Sequence, residues 1–505
     1  MDQGLEFQAD ADCEGSIGSI GSIGAYATRD MSRGEVVLVL PRICCLGPRP
    51  ALLQSFENTC MQHVEYRRTF GQSAPPDELA LAVTMMLILA GKSNHDDSLA
   101  RHQSNTWPSV KEMKATSIFY GDEQTIDRIL GKSALKINLG YRRQHLRQNW
   151  EQIVYPTIQK DASSNLSHFI LPEFQSLQDE SQALWESFRY AYSLVFSRNH
   201  ESGSIIPLVE LFNGYSSLFQ QDMINVRLVN SNPEKTTIVT CRDIVAGEQL
   251  FISYGELPPS GFLIKYGAIP DQMLRQNPSF GDTISLTIPP SLVPSDDLRR
   301  NALQHVHGYP IQAMRAGIEN KVLTPQAFYQ NQQNQHVESP DVASVRQFLV
   351  LGNLCTDEEV QRSLSTGRLR CQTTPEHIGQ LLVQSVDYSV ALLLQNDSDD
   401  SAKTKTKTSS AQDMEHAQET HDSWESLLLR GRVCQREALL QWRHLFCKRY
   451  NCSGLTVDNT DGGGCFVCGR TWPKLTCSRC KEAHYCCRTH QKQDWKQHKG
   501  NCSSF

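Results

Sequence analysis

Eight Cys and His side chains between 465 and 502 fall into four couples: Cys465-x2-Cys468, Cys477-x2-Cys480, Cys486-x3-His490 and His498-x3-Cys502. Thiolate and imidazole are zinc ligands. Each couple can supply one side of a tetrahedron, so eight ligands complete two four-coordinate ions. The x3 couples place both ligands one turn apart on a helix face. With every position filled by protein, the metal is structural and no coordination site is left for catalysis. Cys487 adjoins a ligand in the wrong register and is expected to be spare. The segment carries eight Lys or Arg against two Asp or Glu, a formal +6 within a chain of net charge −6. Six thiolates and two zinc ions lower it to +4, and no nucleic-acid partner is expected from that residue of charge. Trp472 and Trp495 are expected to pack this small module.

The rest of the chain must be read for the elements that could hold a second site. At 505 residues it has room for about two to four domains. Hydrophobic residues at 39% and charged residues at 21% exclude collagen-like, coiled-coil and wholly disordered chains. The longest apolar run, 79–90, has 12 residues. A membrane span needs about 20, so no membrane partner is expected. Asp2, Glu6, Asp10 and Asp12 precede any basic residue, the reverse of a secretory signal. An intracellular protein, of nucleus or cytoplasm, is therefore expected, where clustered cysteines hold metal rather than disulfides.

Three GSI units run over 15–23 and signal only backbone flexibility. Strands are predicted at 25–28 and 36–40, with a turn at 32–34 between them. Residues 50–190 read as helical, most clearly at 79–90, 122–130 and 141–154. Trp107, Tyr120 and Trp150 are expected in the core. INVRLVN (224–230) and TTIVTCRDI (236–244) alternate as a hairpin, and GEQLFISYG (247–255) is a further strand. Beyond 280 the pattern is helical to 395, with IGQLLVQSVDYSVALLLQ the clearest amphipathic stretch. Residues 396–423 hold almost no bulky apolar group and are expected to be disordered. A helix at 424–450 follows, its arginines expected in solvent.

Three passages, GAYATRDMSRGEVVLVLP from Gly24, FSRNHESGSIIPLVELFNGYSS from Phe196 and AGEQLFISYG from Ala246, stand in this order. Together they resemble a SET-domain methyltransferase, and more narrowly the Rubisco large-subunit methyltransferase group. FYGDEQTIDRILGKSALKINLGYRRQHLRQNWEQIVYP is similar to part of that group's helical insertion, and LPPSGFLIKYGAIPD to its continuation after the active-site strand. The segment from Cys465 to Cys502 resembles a MYND-type zinc finger along its whole length. The resemblance implies an α+β chain: a SET domain over 15–275 split by a helical insertion at about 50–190, then a helical lobe over 280–395 and 424–450. The linker 396–423 and the finger 465–502 complete it.

What the family does is then an expectation for matching residues. The implied reaction is S-adenosylmethionine-dependent methylation of a lysine side chain on a protein substrate. Tyr254 matches the catalytic tyrosine, which orients amine and methyl. Asn213 matches the asparagine that bonds the cofactor, and Arg198 an arginine near the cofactor carboxylate. Gly24, Tyr26 and Gly214 would contribute backbone contacts to the cofactor. Tyr266 matches an aromatic of the lysine channel, and Glu210 would attract the cationic amine there. In MYND-type fingers the couples interleave, which implies one zinc on Cys465, Cys468, Cys486 and His490 and a second on Cys477, Cys480, His498 and Cys502; such fingers bind peptides or proteins. Two positions depart from the pattern: Gly214 stands where the family has histidine, and Ser22 where it has glycine. They motivate two alternatives, an inactive SET-like adaptor acting through the finger, and transfer to another side chain such as histidine.

Overall fold

The computed structural model describes residues 4–9, 23–62, 76–91, 107–161, 165–199, 203–217, 221–232, 234–269, 273, 282, 284–307, 321–323, 340–366, 371–394, 424–450, 452, 475–477, 484–485, 491–492 and 495. Two small sheets form from β1 (Leu5–Ala9), β2 (Ile23–Ala27), β3 (Val36–Pro41), β4 (Asn213–Tyr215), β5 (Val226–Asn232), β6 (Lys235–Thr240) and β7 (Gln249–Ser253). The first has the order β1-β2-β7-β4 and the second β3-β6-β5. β7 pairs antiparallel with β2, Ala25 opposite Leu250, and parallel with β4, Asn213 opposite Phe251. Asn225 joins the sheets: its Oδ1 accepts the Phe251 N–H at 2.7 Å and its Nδ2 donates to the Gln249 carbonyl at 2.8 Å. A core of Ala25, Val37, Ile206, Phe212, Ile238 and Leu250 lies between them.

The predicted strands at 25–28 and 36–40 and the 224–244 hairpin are present, with ends shifted by one or two residues except that the second hairpin strand stops at Thr240 rather than 244. β1 and β4 were not expected, nor was the short antiparallel pair Ile284–Leu286 and Lys321–Leu323 in the stretch read as helical from 280 to 395. β1 is LEFQA, too short and mixed to read as a strand alone, and it exists by pairing with β2 from Leu5↔Ala27 to Ala9↔Ile23. β4 is three residues fixed wholly by β7.

Between β3 and β4 runs the helical insertion: α1 (Pro50–Gln62), α2 (Pro76–Leu89), α3 (Val110–Thr116), α4 (Glu123–Leu130), α5 (Ala134–Asn149), α6 (Tyr155–Asp161) and α7 (Glu180–Arg198). Ser109 and Glu112 form a capping box on α3, and Asp122, Ser133 and Asp179 cap α4, α5 and α7, satisfying N–H groups left open at each helix start. α2 is buried along its middle, as the apolar run predicts. Trp107 and Trp150 are buried and Tyr120 partly so, all packed in one core with Phe188 and Leu194.

The chain then forms α8 (Pro259–Tyr266), the strand pair β8 (Ile284–Leu286) and β9 (Lys321–Leu323), α9 (Asp297–His307), α10 (Pro340–Asn353), α11 (Asp357–Thr366), α12 (Pro375–Leu394) and α13 (Trp424–Tyr450). α13 serves two cores: Leu427, Leu428 and Leu429 pack into that of the insertion, and Leu439, Trp442 and Phe446 into that of α9–α12. Its arginines correct the expectation of solvent exposure. Arg430 and Arg432 are 5% and 4% exposed, and Arg430 Nη1 donates to the Ile269 carbonyl at 2.9 Å. A guanidinium is buried when carbonyls at the end of another helix meet its donors, and α8 ends just before Ile269. The span 396–423 lies outside the described residues. None of the helices described is long and apolar enough to cross a membrane.

Gln435 of α13 ties the two regions. Its Oε1 accepts the Leu135 N–H at 3.3 Å, and its Nε2 donates to Asp282 Oδ2 at 3.4 Å. Asp282 is fully buried, also accepts the Ser260 N–H at 3.0 Å, and burial pushes its pKa up to about 6 in spite of both bonds. The unfolded value is about 3.9. A carboxyl raised on folding favours the fold most below the unfolded pKa, and that contribution is lost as pH rises through the folded one. The displacement corresponds to roughly 3 kcal/mol. Asp282→Asn should remove the part of the stability change that falls between about pH 4 and pH 7, read as a flatter urea-unfolding free energy across that window.

Candidate functional site

β7 assembles residues far apart in sequence. Gly24 and Tyr26 lie on one side of it, in β2; Asn213 and Gly214 lie on the other, in β4. Tyr254 follows β7 directly, its N–H donating to the Tyr215 carbonyl at 2.9 Å, so the chain stays clamped to β4 for one residue beyond the strand. Its side chain folds back over β4, where the hydroxyl donates to the Phe212 carbonyl at 3.1 Å. Gly255 turns the chain away at φ 86°.

The Tyr254 ring stacks on Tyr266, centroids 4.5 Å apart at 25°, and Phe262 closes the cluster at 6.0 Å from Tyr254 and 5.5 Å from Tyr266. Both rings come from α8, whose end is fixed by Gly267 at φ 65°. A Cβ there would also run into the Thr116 carbonyl, so glycine is required twice over. Burial pushes the Tyr254 hydroxyl up to about 12, with the Arg198 charge drawing it partly back. Burial raises Tyr266 further, with Tyr254 adding to it.

Glu210 has a 1% exposed side chain and sits in the turn before β4. Both its oxygens accept from Trp107 Nε1 at 3.1 Å, and Oε2 pairs with Arg198 Nε at 3.4 Å. Arg198 ends α7, its Nη1 donating to Ser197 Oγ at 2.9 Å. Trp107, read from the sequence as core alone, is thus also the donor that holds Glu210. The turn begins at Leu208, the one non-glycine residue with positive φ (64°) among those described. Strain of this kind persists where surrounding contacts enforce it, commonly beside functional groups.

Asn213 Nδ2 is buried and has no hydrogen-bond partner among the described residues. Glu78, at the start of α2, is another acid the sequence did not single out. Asn199 Nδ2 donates to it at 3.3 Å, and burial nonetheless raises its carboxyl above the usual range. The only sequence signal was its place one residue before the apolar run. Gly24 and Tyr26 occupy ladder positions opposite Gln8 and Glu6; Ser22 lies outside the described residues.

Gly214 has the most consequential environment. A Cβ at this position would overlap Cγ, Cδ1 and Cε1 of Tyr254. The ring occupies the space that a side chain on residue 214 would fill, so the departure from histidine and the tyrosine's position are one packing arrangement.

In the C-terminal segment, β10 (Leu475–Thr476) pairs antiparallel with β11 (His484–Tyr485), and Cys477 is buried beside them. Cys465, Cys468, Cys480, Cys486, His490, His498 and Cys502 lie outside the described residues, as do Trp472 and Cys487. Trp495 is 40% exposed, so it is not fully packed away as expected.

Among solved structures, that of Rubisco LSMT bound to AdoMet matches with a TM-score of 0.51 at 16% identity, over 89% of this chain and 88% of that one. The chain therefore has the SET-domain fold of that enzyme. Residues 465–502 match the MYND finger family model. A stretch of 49 residues is 53% identical to human (Homo sapiens) Egl nine homolog 1, covering 10% of this chain and 12% of that protein. Another of 40 residues is 55% identical to mouse (Mus musculus) Programmed cell death protein 2, covering 8% and 11%. These curated relatives are thus matched over only a small part of their length.

Two outcomes follow. Gly214→Ala should cost about 2 kcal/mol by overpacking, and the cost should largely vanish in a Tyr254→Ala background, as a double-mutant cycle by urea unfolding would read. Glu210→Ala should cost about 3 kcal/mol by stranding Arg198 and Trp107, while Glu210→Gln, which keeps an acceptor, should lose clearly less in the same assay.

Proposed function

We propose that the chain is an S-adenosylmethionine-dependent protein-lysine N-methyltransferase with a finger that engages a peptide or protein partner. The observation that carries this reading is the buried, unpartnered Asn213 Nδ2 in the strand beside Tyr254. A buried N–H without an acceptor costs about 1–3 kcal/mol, and a ligand acceptor at that point would remove the cost.

The residues fit the cofactor. Asn213 would bond it, and the Nη2 edge of Arg198, which neither Glu210 nor Ser197 occupies, suits a carboxylate. Gly24, Tyr26 and Gly214 line the neighbouring strands. When bound, S-adenosylmethionine supplies an electrophilic methyl group on a sulfonium. The chain's own part is to orient and to exclude water. Tyr254 keeps its proton, since its pKa stands at about 12; it acts as a hydrogen-bonding group rather than a base. The Tyr254–Tyr266 pair presents aromatic faces that attract an ammonium, and Lys265 Nζ already lies 5.4 Å from the Tyr266 centroid. Such a wall favours a lysine substrate. Glu210 acts on the site through Arg198, whose position its buried carboxylate fixes.

In the finger, six thiols and two imidazoles form a donor set for two structural zinc ions, paired as Cys465, Cys468, Cys486, His490 and Cys477, Cys480, His498, Cys502. We place the protein inside the cell, in nucleus or cytoplasm.

A second reading has one specific support. The Tyr254 ring fills the place of the missing side chain at Gly214, an arrangement compatible with a SET-like domain that no longer turns over and serves as an adaptor. Calorimetric titration of the zinc-loaded chain with S-adenosylmethionine separates the two. Binding should be measurable and at least about tenfold weaker in Asn213→Ala; no binding by folded wild type would leave the adaptor. Tyr254→Phe should abolish the methylated product in a mass-spectrometric assay of candidate protein substrates, and the modified side chain in that assay distinguishes lysine from histidine.

A further inference from the structure

Cys355, Glu359 and Cys371 meet far from the methyltransferase site, at the start of α11 and the segment that enters α12. The two sulfurs and a carboxylate oxygen all lie within 4.8 Å of one another. Cys355 is buried at 4% exposure, while Cys371 and Glu359 are half-buried.

The arrangement is held by backbone bonds. Glu359 Oε2 accepts the N–H of Thr356, and Oε1 accepts the N–H of Gln372, both at 2.9 Å. Each donor is the residue directly after one of the cysteines, so one carboxylate pins both thiols to a common point. Thr356 Oγ1 also donates to Oε2, at 3.4 Å, and receives the Glu359 N–H at 3.3 Å, closing a capping box on α11. Arg299 Nη2 fixes the Cys355 carbonyl from α9 at 2.7 Å. A carboxylate has about four lone-pair directions. The backbone and hydroxyl donors take three, and the Cys371 thiol hydrogen-bonds the carboxylate as well, through the proton that a metal ion would replace.

We propose that Cys355, Cys371 and Glu359 bind one zinc ion, independently of the finger and of the reaction. The complex would form as two thiol protons leave: Zn²⁺ and two R–SH give the bis-thiolate complex and two H⁺, with the carboxylate as third ligand and water in the fourth position. Tetrahedral zinc needs donors about 3.5–3.8 Å apart, and the three donors already lie within 4.8 Å of one another. Two sulfurs exclude magnesium and calcium, which take oxygen ligands, and favour zinc among available divalent ions. The ion would staple the α11 start to the lead of α12, the helix that packs along α13.

The test uses the full chain. Zinc per chain is counted by plasma mass spectrometry for wild type, Cys371→Ser and Glu359→Gln. Alkylation with peptide mapping follows Cys371 in wild type and the finger cysteines in wild type and Cys371→Ser, with and without chelator. The expected result is one zinc fewer in Cys371→Ser with the finger cysteines still protected, at least a tenfold easier zinc loss to a competing chelator in Glu359→Gln, and Cys371 labelled only after chelation. Equal zinc in wild type and Cys371→Ser would overturn the proposal, as would ready labelling of Cys371 in zinc-loaded wild type. Recovery of a Cys355–Cys371 disulfide from zinc-loaded wild type would overturn it too.

Discussion

Everything around the candidate catalytic centre depends on β7 being paired on both edges. A strand with one partner would bring together at most two of the segments concerned. With β2 antiparallel on one side and β4 parallel on the other, it gathers three. The clamp continues past the strand through the Tyr254 N–H and the Tyr215 carbonyl. Only because of that last bond does the tyrosine hydroxyl return to Phe212 and its ring lie across Gly214. Both pairings are short, three register partners with β4 and two with β2, and Asn225 reinforces them by bonding β7 from the second sheet.

Side chains outside the sheets then fix the groups that the sheets bring close. Tyr266 is placed by α8, and α8 by Gly267 against Thr116 on one side and by α13 on the other, where Arg430 reaches the Ile269 carbonyl. Arg198 is placed by the end of α7 and by Glu210, itself held by Trp107. Insertion, site and C-terminal helices thus form one mechanical unit: a change in α13 is felt at the aromatic wall through its packing on α8, where Gly431 meets Leu263, and through the Arg430 hydrogen bond.

Much of this was legible in the residues. Tyr254, Asn213 and Arg198 were named from short motifs; the first two come together because β4 and β7 pair, and Arg198 joins them from the end of α7 through Glu210. The helices at 79–90 and 424–450 announced themselves through length and apolar periodicity. β1 and β4 did not, since their pairing partners are distant and nothing local in LEFQA or NGY demands extension. The buried arginines of α13 were misread for the same reason: the carbonyl that meets Arg430 is that of Ile269, about 160 residues away in sequence. Trp107 and Glu78 carry polar roles that a tryptophan near a proline and an acid beside an apolar run do not declare. Gly214 was visible as a departure; that Tyr254 fills its space is a fact of packing and has no signature in sequence.

The route the chain takes to its central strand also governs how it is made. β1 and β2 can form a hairpin as soon as they leave the ribosome, but the other edge of β2 waits for β7, roughly 220 residues later. At about 5–20 residues per second that interval lasts some ~10–45 s. During it an unpaired edge is open to pairing with any extended segment nearby. The helical insertion emerges in exactly this interval of synthesis and can fold on local contacts alone, so nascent-chain quality control, rather than the stability of the finished molecule, is where this topology is most exposed.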